Sequence, residues 1–310
     1  MTNDKTPMHF HMSADYEANS STQKSIGRQV IQIAIEMATI NFNKPSIIKA
    51  LDLACGPGNL TIEFHNALEK NFPGVNIHTT GLDYSEMNIN LLKKNYAGTI
   101  SGITASFYNL PVQTKNSDII ISNEGFHWQP PYAMSKMMFS YLDSPEKENY
   151  DRFALQNLET AFRNVYGSLK TGGIGVFQFG HKGQIKKLWD LVYDIFNEDA
   201  FKEYVSKINF PVYHPTVEDI LNALITAGFL RENIEINAYP QDLMEESPSA
   251  VTAFYKAFSQ PGLSQYLPPD ILYHFYKRME DRFNNIDMVE FRKNLLHRTL
   301  VKVRKGTFLQ

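Results

Sequence analysis

Apolar residues recur along the chain with two different spacings, and these spacings predict where helices and strands lie. Between residues 26 and 40 an apolar side chain returns every three or four positions, which is typical of an amphipathic helix. Farther on, short apolar runs are bounded by turn residues and are too short for ordinary helices, so they predict buried strands. These predicted strands span 47–54, 76–83, 103–108, 118–123, 173–180, 232–239 and 298–305.

Helical patterns fill the gaps between the predicted strands, and several begin at a residue suited to capping. Asn59, Ser85 and Thr216 each precede a helical run and can accept hydrogen bonds from its first N–H groups. Gly172 and Gly173 are typical of a helix end, so a long helix is expected to stop there. The predicted helices cover 60–72, 86–95, 150–170, 185–196 and 216–227.

The alternation of strand and helix predicts an α/β fold. Strands joined through helices run parallel, and both faces of a parallel sheet are apolar and need covering. We therefore predict a Rossmann-like sheet of seven mostly parallel strands with helices on both faces. Residues 1–45 would form an N-terminal helical lid, 46–240 the core, 241–294 a C-terminal helical cap insertion, and 295–310 the closing strand.

Aromatic residues are concentrated in the predicted insertion, between residues 248 and 285. Helically spaced aromatics are ordinarily core residues, but a position between the last two strands equally suits a cap over a partly apolar substrate. The aromatics in question are Phe254, Tyr255, Phe258, Tyr266, Tyr273, Phe275 and Tyr276.

Composition narrows the class of protein. With 310 residues and 43% hydrophobic content the chain can bury a sizeable core, and a net charge of -3 disfavours binding driven by nucleic-acid phosphates. The single cysteine, Cys55, cannot form an intramolecular disulfide, and no Cys/His spacing predicts a metal site. Since no stretch approaches the roughly 18 apolar residues of a membrane span, we expect a cytoplasmic protein without a membrane partner. The sequence predicts no oligomeric state.

Residues 51–61, LDLACGPGNLT, place two glycines between the first predicted strand and its helix. Gly56 and Gly58 have no Cβ, so the backbone can approach a ligand closely there. Asp83 closes the second strand and can accept hydrogen bonds from both hydroxyls of a ribose. In a parallel sheet both features lie at the edge where ligands bind, which predicts a nucleoside site.

The glycine pattern also bears on which nucleoside binds. A dinucleotide-binding turn needs G-x-G-x-x-G, but the frame from Gly56 reads GPGNLT, so Thr61 stands in place of the third glycine. S-adenosylmethionine carries no phosphate and does not need a full pyrophosphate cradle. This ligand is therefore the better interpretation of the turn.

The segments LDLACGPG, GLDYS and SDIIISN, in this order, resemble those of class I S-adenosylmethionine-dependent methyltransferases over about residues 50–179. The resemblance implies that Asp52 supports the turn and that Ala54, Gly56 and Gly58 line the methionine end of the cofactor. It also implies that Asp83 holds the ribose.

The same resemblance assigns the adenine end of the cofactor. Tyr84 and Met87 would pack near the adenine ring. Asn109 and Leu110 stand where the family often has an acid that meets the adenine amino group. Asn109 departs from that pattern, and its carbonyl oxygen would accept this hydrogen bond more weakly than a carboxylate.

Residues 122–132, SNEGFHWQPPY, follow the fourth strand and contain the residues that are predicted to face the substrate. The pattern S-N-x-x-x-x-W is similar to that of a small-molecule branch that includes trans-aconitate, malonyl-carrier and juvenile-hormone-acid methyltransferases, which make methyl esters. By this resemblance Asn123 and Glu124 face the methionine end, while His127 and Trp128 face the substrate. The QPPY segment comes too late to act as the N/D-P-P-aromatic motif of amide and adenine methyltransferases.

The N-terminal Tyr16 and Gln23 resemble the segment that closes over the site in the same branch. His127 is the best placed candidate base, since its ordinary pKa is about 6.5, although a role in lining the pocket is the alternative. His181 and His214 lie near possible mouths of loops, where either could reach the substrate, but a surface position is the preferred interpretation. Trp128 is expected to be either a core residue or one that faces a cation or stacks on the substrate.

The predicted function is methyl transfer from S-adenosylmethionine, with S-adenosylhomocysteine as product, to a carboxylate or hydroxyl oxygen of a small, partly apolar organic acid. Three alternatives remain at this stage: a carbon or nitrogen methyltransferase of a metabolite, a modifier of macromolecules, and a protein that binds the cofactor without methyl transfer. The net negative charge of the chain disfavours a modifier of macromolecules.

Overall fold

The fold was determined from a computed structural model, in which residues 21–43, 45–128, 146–205 and 212–306 are described. Its strands correspond closely to the apolar runs of the sequence. The seven strands are β1 (Ile47–Leu53), β2 (Asn76–Asp83), β3 (Ile100–Thr104), β4 (Ser117–Asn123), β5 (Leu169–Gly180), β6 (Ile234–Gln241) and β7 (Leu296–Arg304).

Helices alternate with these strands. Two of them begin at the predicted caps: the Ser85 side chain accepts from Asn88 N, and Thr216 forms a capping box with Asp219. The helices are α1 (Ser21–Asn41), α2 (Asn59–Asn71), α3 (Glu86–Asn95), α4 (Glu146–Ser168), α5 (Lys186–Phe196), α6 (Val217–Ala227), α7 (Pro248–Leu263), α8 (Pro269–Phe283) and α9 (Met288–Arg292).

The strands form one sheet in the order β3-β2-β1-β4-β5-β7-β6. Pairing is parallel from β3 to β5, and β7 runs antiparallel to both β5 and β6. The predicted fold class is therefore confirmed. The strand order reverses between β1 and β4, which is the position where an open α/β sheet leaves a crevice for a ligand.

Helices cover both faces of the sheet. On one face α1 and α2 pack against apolar residues of β1, β4, β5 and β7, and on the other α4 and α6 do the same. Each layer buries aliphatic and aromatic side chains completely, and such burial stabilises the fold by roughly 1.5 to 3 kcal/mol per large side chain. The crevice thus opens at the end of a rigid, fully packed sheet.

The C-terminal helices have a core of their own. Helices α5, α7 and α8 bury a cluster that includes Phe196 and Phe275, whose rings stack with their centroids 4.5 Å apart. Of the aromatics singled out in the sequence, Phe254, Tyr255, Phe275 and Tyr276 are buried here, Tyr266 is partly buried, and Tyr273 is exposed. Most of the aromatic spacing is therefore explained by core packing.

Several predicted boundaries were wrong, for reasons of packing. The third strand was predicted at 103–108 but ends at Thr104, because Phe107 turns inward and packs on Phe126 with ring centroids 5.3 Å apart. Asn59 is the first helical residue and Gly58 the cap; the Asn59 side chain instead accepts a hydrogen bond from the Tyr96 hydroxyl.

The glycines after α4 do not end that helix. It stops at Ser168, and β5 has already begun at Leu169, which pairs with Ser117 of β4. Gly172 has a φ of +79° and lies within an irregular part of β5, where its N–H donates to Lys305 O at 2.7 Å. Long-range strand pairing therefore overrides the local helix-end signal.

Candidate functional site

The crevice is formed by the turns that follow β1 and β4, the two strands at the point of reversal. Ala54 and Glu124 both adopt left-handed backbone conformations, with φ of +57° and +59°. This conformation is unfavourable for residues with a Cβ and costs on the order of 1 to 3 kcal/mol each. Gly125 lets the turns meet, since a Cβ there would lie 3.0 Å from that of Ala54. Strained backbone at adjacent strand ends is typical of a ligand site.

The glycine turn is tied to the end of β2. Gly58 has a φ of +92°, and a Cβ on it would lie 2.9 Å from Leu92, so only glycine fits there. Gly56 N donates to Asp83 Oδ2 at 3.0 Å, while Ser85 N donates to Asp83 Oδ1 at 2.9 Å. Asp83 therefore fixes the shape of the turn.

Asp83 keeps capacity for a ligand despite these bonds. Its carboxylate also accepts from the Asn88 amide at 3.3 Å, which makes three hydrogen bonds out of about four lone-pair sites. Burial raises its pKa, and the three hydrogen bonds oppose that rise. One site is left, whereas a ribose offers two hydroxyls, so a contact with both hydroxyls needs one site to be shared between two donors. The ribose contact remains a prediction.

Asp52 lies near the end of β1, just before the turn. It is 1% exposed, and its Oδ2 accepts a hydrogen bond from the Thr61 hydroxyl at 2.7 Å. Burial raises the pKa of Asp52 to about 7, the Thr61 hydrogen bond lowers it, and the nearby Asp83 raises it further. Asp52 is therefore a support that is partly protonated at neutral pH.

The residues predicted at the adenine end divide into two groups. Tyr84 and Met87 follow β2 and are 37% and 43% exposed, so both can offer apolar surface to a ring. Asn109 is exposed and lies five residues beyond the end of β3. Ser106 lies closer to the strand end, since Ala105 N donates to Asp83 O at 3.0 Å. The adenine contacts of Asn109 and Leu110 stay predictions.

Polar residues replace apolar ones on four neighbouring strands at this edge. Along β1, β4 and β5 the positions facing α1 and α2 are apolar in the middle of the sheet, as at Ile121 and Val176, and on β7 Leu300 is apolar on the same face. The next position towards the crevice on each strand is polar. This polar tier consists of Asp52, Asn123, Gln178 and Arg298.

Two members of the polar tier, Gln178 and Arg298, were not identified as site residues from the sequence. Gln178 is 0% exposed, yet neither polar atom of its amide has a hydrogen-bond partner among the residues that the structure describes. Arg298 is 1% exposed and forms an ion pair with Glu124 through Nη1, while its Nε has no partner in the described part of the chain. Unsatisfied buried polar groups cost about 1 to 3 kcal/mol, so they indicate that a ligand completes this edge.

His127 is buried just beyond β4. Its Nδ1 accepts a hydrogen bond from Gly180 N at 3.4 Å, whereas Glu124 Oε2 is 3.9 Å away. Burial and the charge of Arg298 lower the pKa of His127 to about 3. The lowered pKa makes the ring a weak base, and the contact with Gly180 N–H favours the tautomer that carries its proton on Nε2. These contacts do not test the general-base role of His127, which stays a prediction.

Two histidines expected at the surface lie inside the site. His214 is half-buried, with its ring centroid 5.6 Å from that of His127. His181 is also half-buried, and its ring centroid is 5.4 Å from that of His297. Neither side chain is exposed, so the preferred interpretation as surface histidines was wrong, because the segments after β5 and before α6 fold back over the end of the sheet. The alternative, that either histidine reaches the substrate, stays a prediction.

Trp128 is half-buried beside His127, with ring centroids 5.4 Å apart. Its backbone is fixed by Tyr108, whose hydroxyl donates to Trp128 O at 2.6 Å, and by a bridge to Val212. Tyr16 lies outside the described residues. Gln23 belongs to α1, but its side chain lies outside the part that is described.

The described residues also bear on metal binding and on membrane insertion. Within these residues no group of three or more His, Cys, Asp or Glu side chains could hold a metal ion. None of the helices described is long and apolar enough to cross a membrane.

Comparison with known families assigns the central part of the chain. Residues 50–143 match a family described as a methyltransferase domain, and this segment contains the glycine turn, Asp83 and the end of β4. No curated protein sequence matches the chain. The match places a methyltransferase domain in residues 50–143 of the 310-residue chain.

Solved structures share the fold. A loganic acid methyltransferase with SAH has a TM-score of 0.75 at 16% identity, covering 98% of this chain and 100% of its own. The YcgJ protein of Bacillus subtilis has a TM-score of 0.49 at 13% identity, covering 90% of this chain and 99% of its own. The first match extends through the C-terminal helices, so they belong to one architecture with the sheet.

Proposed function

We propose that this enzyme transfers the methyl group of S-adenosylmethionine to a carboxylate oxygen of a small, partly apolar organic acid. The products are a methyl ester and S-adenosylhomocysteine. The observation that carries the choice of acceptor is the state of His127, which is neutral and has its basic nitrogen turned to Gly180 N–H.

This state of His127 bears directly on the acceptor. A hydroxyl acceptor needs a base to remove its proton, and His127 was the candidate that the sequence supplied. A carboxylate is already ionised at neutral pH and attacks without losing a proton. Its ionised oxygen needs only alignment and a dry environment.

The residues of the crevice fit the cofactor. S-adenosylmethionine supplies, when bound, a methyl group on a sulfonium sulfur that is open to nucleophilic attack. The backbone of Gly56–Gly58 lets the cofactor approach closely, and Asp83 can accept hydrogen bonds from the ribose hydroxyls. Tyr84 and Met87 offer apolar surface to the adenine. Gln178 offers both a donor and an acceptor to the methionine end, since its amide is unsatisfied on both atoms among the described residues.

His127 and Trp128 act on the acceptor by positioning it. The Nε2–H of His127 donates to one oxygen of the carboxylate, which leaves the other oxygen free to attack. Trp128 shields the site from water. The finer resemblance, to the branch with trans-aconitate, malonyl-carrier and juvenile-hormone-acid methyltransferases, supports ester formation, and so does the fold shared with a loganic acid methyltransferase.

A substrate screen tests the proposal. The enzyme is incubated with S-adenosylmethionine and a panel of aliphatic and aromatic carboxylic acids, with the matching alcohols and amines as controls, and release of S-adenosylhomocysteine is measured. Acids should be methylated, and mild alkali should hydrolyse the product to methanol and acid. Products that resist alkali would indicate a nitrogen or carbon acceptor, and turnover of alcohols alone would refute the proposal.

Substitutions of His127 separate positioning from base catalysis. His127→Gln keeps a neutral N–H donor, so we expect kcat within about tenfold of the wild type. His127→Leu removes the donor and should raise KM more than it lowers kcat. If His127 were the base, His127→Gln would lose roughly 10²- to 10⁴-fold in kcat.

A further inference from the structure

Four histidines lie with Arg298 at the crevice edge of β4, β5 and β7. They come from four parts of the chain that backbone hydrogen bonds hold together. Tyr213 N donates to His127 O at 2.7 Å, and His181 N donates to His297 O at 3.0 Å. We call this set the histidine cluster, and its members are His127, His181, His214, His297 and Arg298.

The cluster is rich in groups that can carry positive charge and poor in carboxylates. His214 is influenced by His127 from the β4 loop, by His181 from the end of β5, and by His297 and Arg298 from β7. Next to His214 in the chain is Tyr213. Burial and the negative charges of Asp219 in α6 and Asp151 in α4 raise the pKa of Tyr213. Glu124 is the carboxylate that contacts the cluster, and it is paired with Arg298.

Arg298 is the permanent cation of the cluster, and its charge disfavours further positive charge on the His214 ring. Burial and the surrounding cationic groups hold the pKa of His214 well below its usual range and also lower that of His181. An anion placed among these rings would reverse the effect, because an opposite charge favours the protonated form.

Two buried nitrogens indicate that a ligand belongs there. His181 Nδ1 and Arg298 Nε have no hydrogen-bond partner among the described residues, and the Arg298 side chain is 1% exposed. The guanidinium Nε–H can only donate, so its missing partner is an acceptor. The oxygen atoms of an anion can accept this hydrogen bond, and their negative charge compensates positive charge in the cluster.

This anion is not the carboxylate that attacks the methyl group. Charge-assisted hydrogen bonds from a guanidinium stabilise the lone pairs of a carboxylate and make it a weaker nucleophile. A reacting oxygen is better served by the single neutral donor of His127. The cationic part of the cluster, centred on Arg298 and His214, therefore suits an oxyanion that does not react.

We propose that Arg298, His181 and His214 bind a second oxyanion of the substrate, so that the enzyme selects acids with two anionic groups and methylates one of them. The inference rests on the proposed function for the identity of the methylated group. Binding of the second oxyanion is coupled to proton uptake by the imidazoles, so the affinity for a diacid should increase as the pH falls from 8 to 6.

Matched acids test the selectivity. Hexanoate is compared with adipate, and octanoate with suberate, by kcat/KM between pH 6 and 8. We expect the diacid to be preferred at least tenfold at pH 6.5, with a preference that changes by up to about tenfold per pH unit for each proton taken up. Equal use of monoacid and diacid, or a preference that does not depend on pH, would overturn the inference and leave the proposed function intact.

Variants assign the selectivity to the cluster. His214→Asn and His181→Asn should reduce the preference for the diacid towards unity and flatten its pH dependence. His78→Asn is the matched control, because His78 is exposed on β2, and it should change neither quantity. Circular dichroism and thermal melts verify that each variant is folded. Unchanged selectivity in both folded cluster variants would also overturn the inference.

Binding can be measured without turnover. Adipate is added to the enzyme saturated with S-adenosylhomocysteine, and the histidine side chains are titrated by NMR. Adipate should raise the pKa of at least one imidazole in the wild type and not in His214→Asn, whereas hexanoate and free phosphate should have much weaker effects. If no acid is methylated but adipate shifts this titration, the proposed function fails and the anion site stands; if adipate shifts nothing, the anion site is refuted.

Discussion

Replacement of Asp52 by asparagine should change how the stability of the protein depends on pH. Asp52 is 1% exposed and supports the glycine turn through the Thr61 hydroxyl at 2.7 Å. Burial is the largest cause that raises its pKa from an ordinary value of 3.8 to about 7. In asparagine the amide oxygen can still accept from Thr61, but no proton is gained or lost.

The sign and size follow from proton linkage. Below about pH 4 Asp52 is protonated in both the folded and the unfolded chain. Between about pH 4 and 7 the unfolded chain releases this proton while the folded chain retains it, so rising pH destabilises the fold. The difference between 3.8 and about 7 corresponds to roughly 4 kcal/mol, since each pKa unit is worth about 1.36 kcal/mol.

Urea unfolding at pH 5, 6, 7, 8 and 9 measures this effect. The difference in unfolding free energy between Asp52→Asn and the wild type isolates Asp52 from the other titrating groups. The unfolding free energy of the variant minus that of the wild type should rise by about 1 kcal/mol per pH unit up to pH 7 and then level off. Thr61→Val should shift the levelling to higher pH, because the Thr61 hydrogen bond lowers the pKa of Asp52. A difference that is constant with pH would refute the reasoning.

Other predictions test the same crevice. Asp83→Ala should weaken S-adenosylhomocysteine binding about ten- to hundredfold in calorimetry, because one charge-assisted hydrogen bond is worth roughly 1.5 to 3 kcal/mol. Ser85→Ala should lower the unfolding free energy by about 1 kcal/mol, since Asn88 N loses the cap of α3. Gln178→Leu should raise the unfolding free energy of the cofactor-free enzyme by about 1 kcal/mol, because it removes a buried amide without partners among the described residues.

Exposed residues of the same types provide the controls. Asp270→Asn, Ser101→Ala and Gln113→Leu lie at exposed positions, so unfolding free energies should change by less than about 0.5 kcal/mol. Cofactor affinity unchanged in Asp83→Ala would argue that the ribose binds elsewhere. Loss of stability in Gln178→Leu would mean that the amide has partners that stabilise the fold, and an unchanged unfolding curve for Ser85→Ala would exclude its capping role.

The sequence alone determined the elements and their order. Periodicity and turn residues reflect short-range hydrogen bonding, so β2 and the caps at Ser85 and Thr216 were predicted correctly. The same signals put Asp52 and Asp83 at the carboxyl edge of a parallel sheet. Parallel strands bring their ends together whatever the details of packing, which is why the crevice could be predicted without coordinates.

Only the tertiary structure decided the chemistry of the crevice. Arg298 lies far along the chain from Glu124, and no local pattern indicates that β7 inserts between β5 and β6 and brings the two together. The lowered pKa of His127 likewise depends on burial and on the charge of Arg298 from β7, and its Nδ1 accepts from Gly180 N–H of β5. Residue types and spacing show which groups are present, but protonation states and missing hydrogen-bond partners depend on neighbours that are distant in sequence and are set by packing.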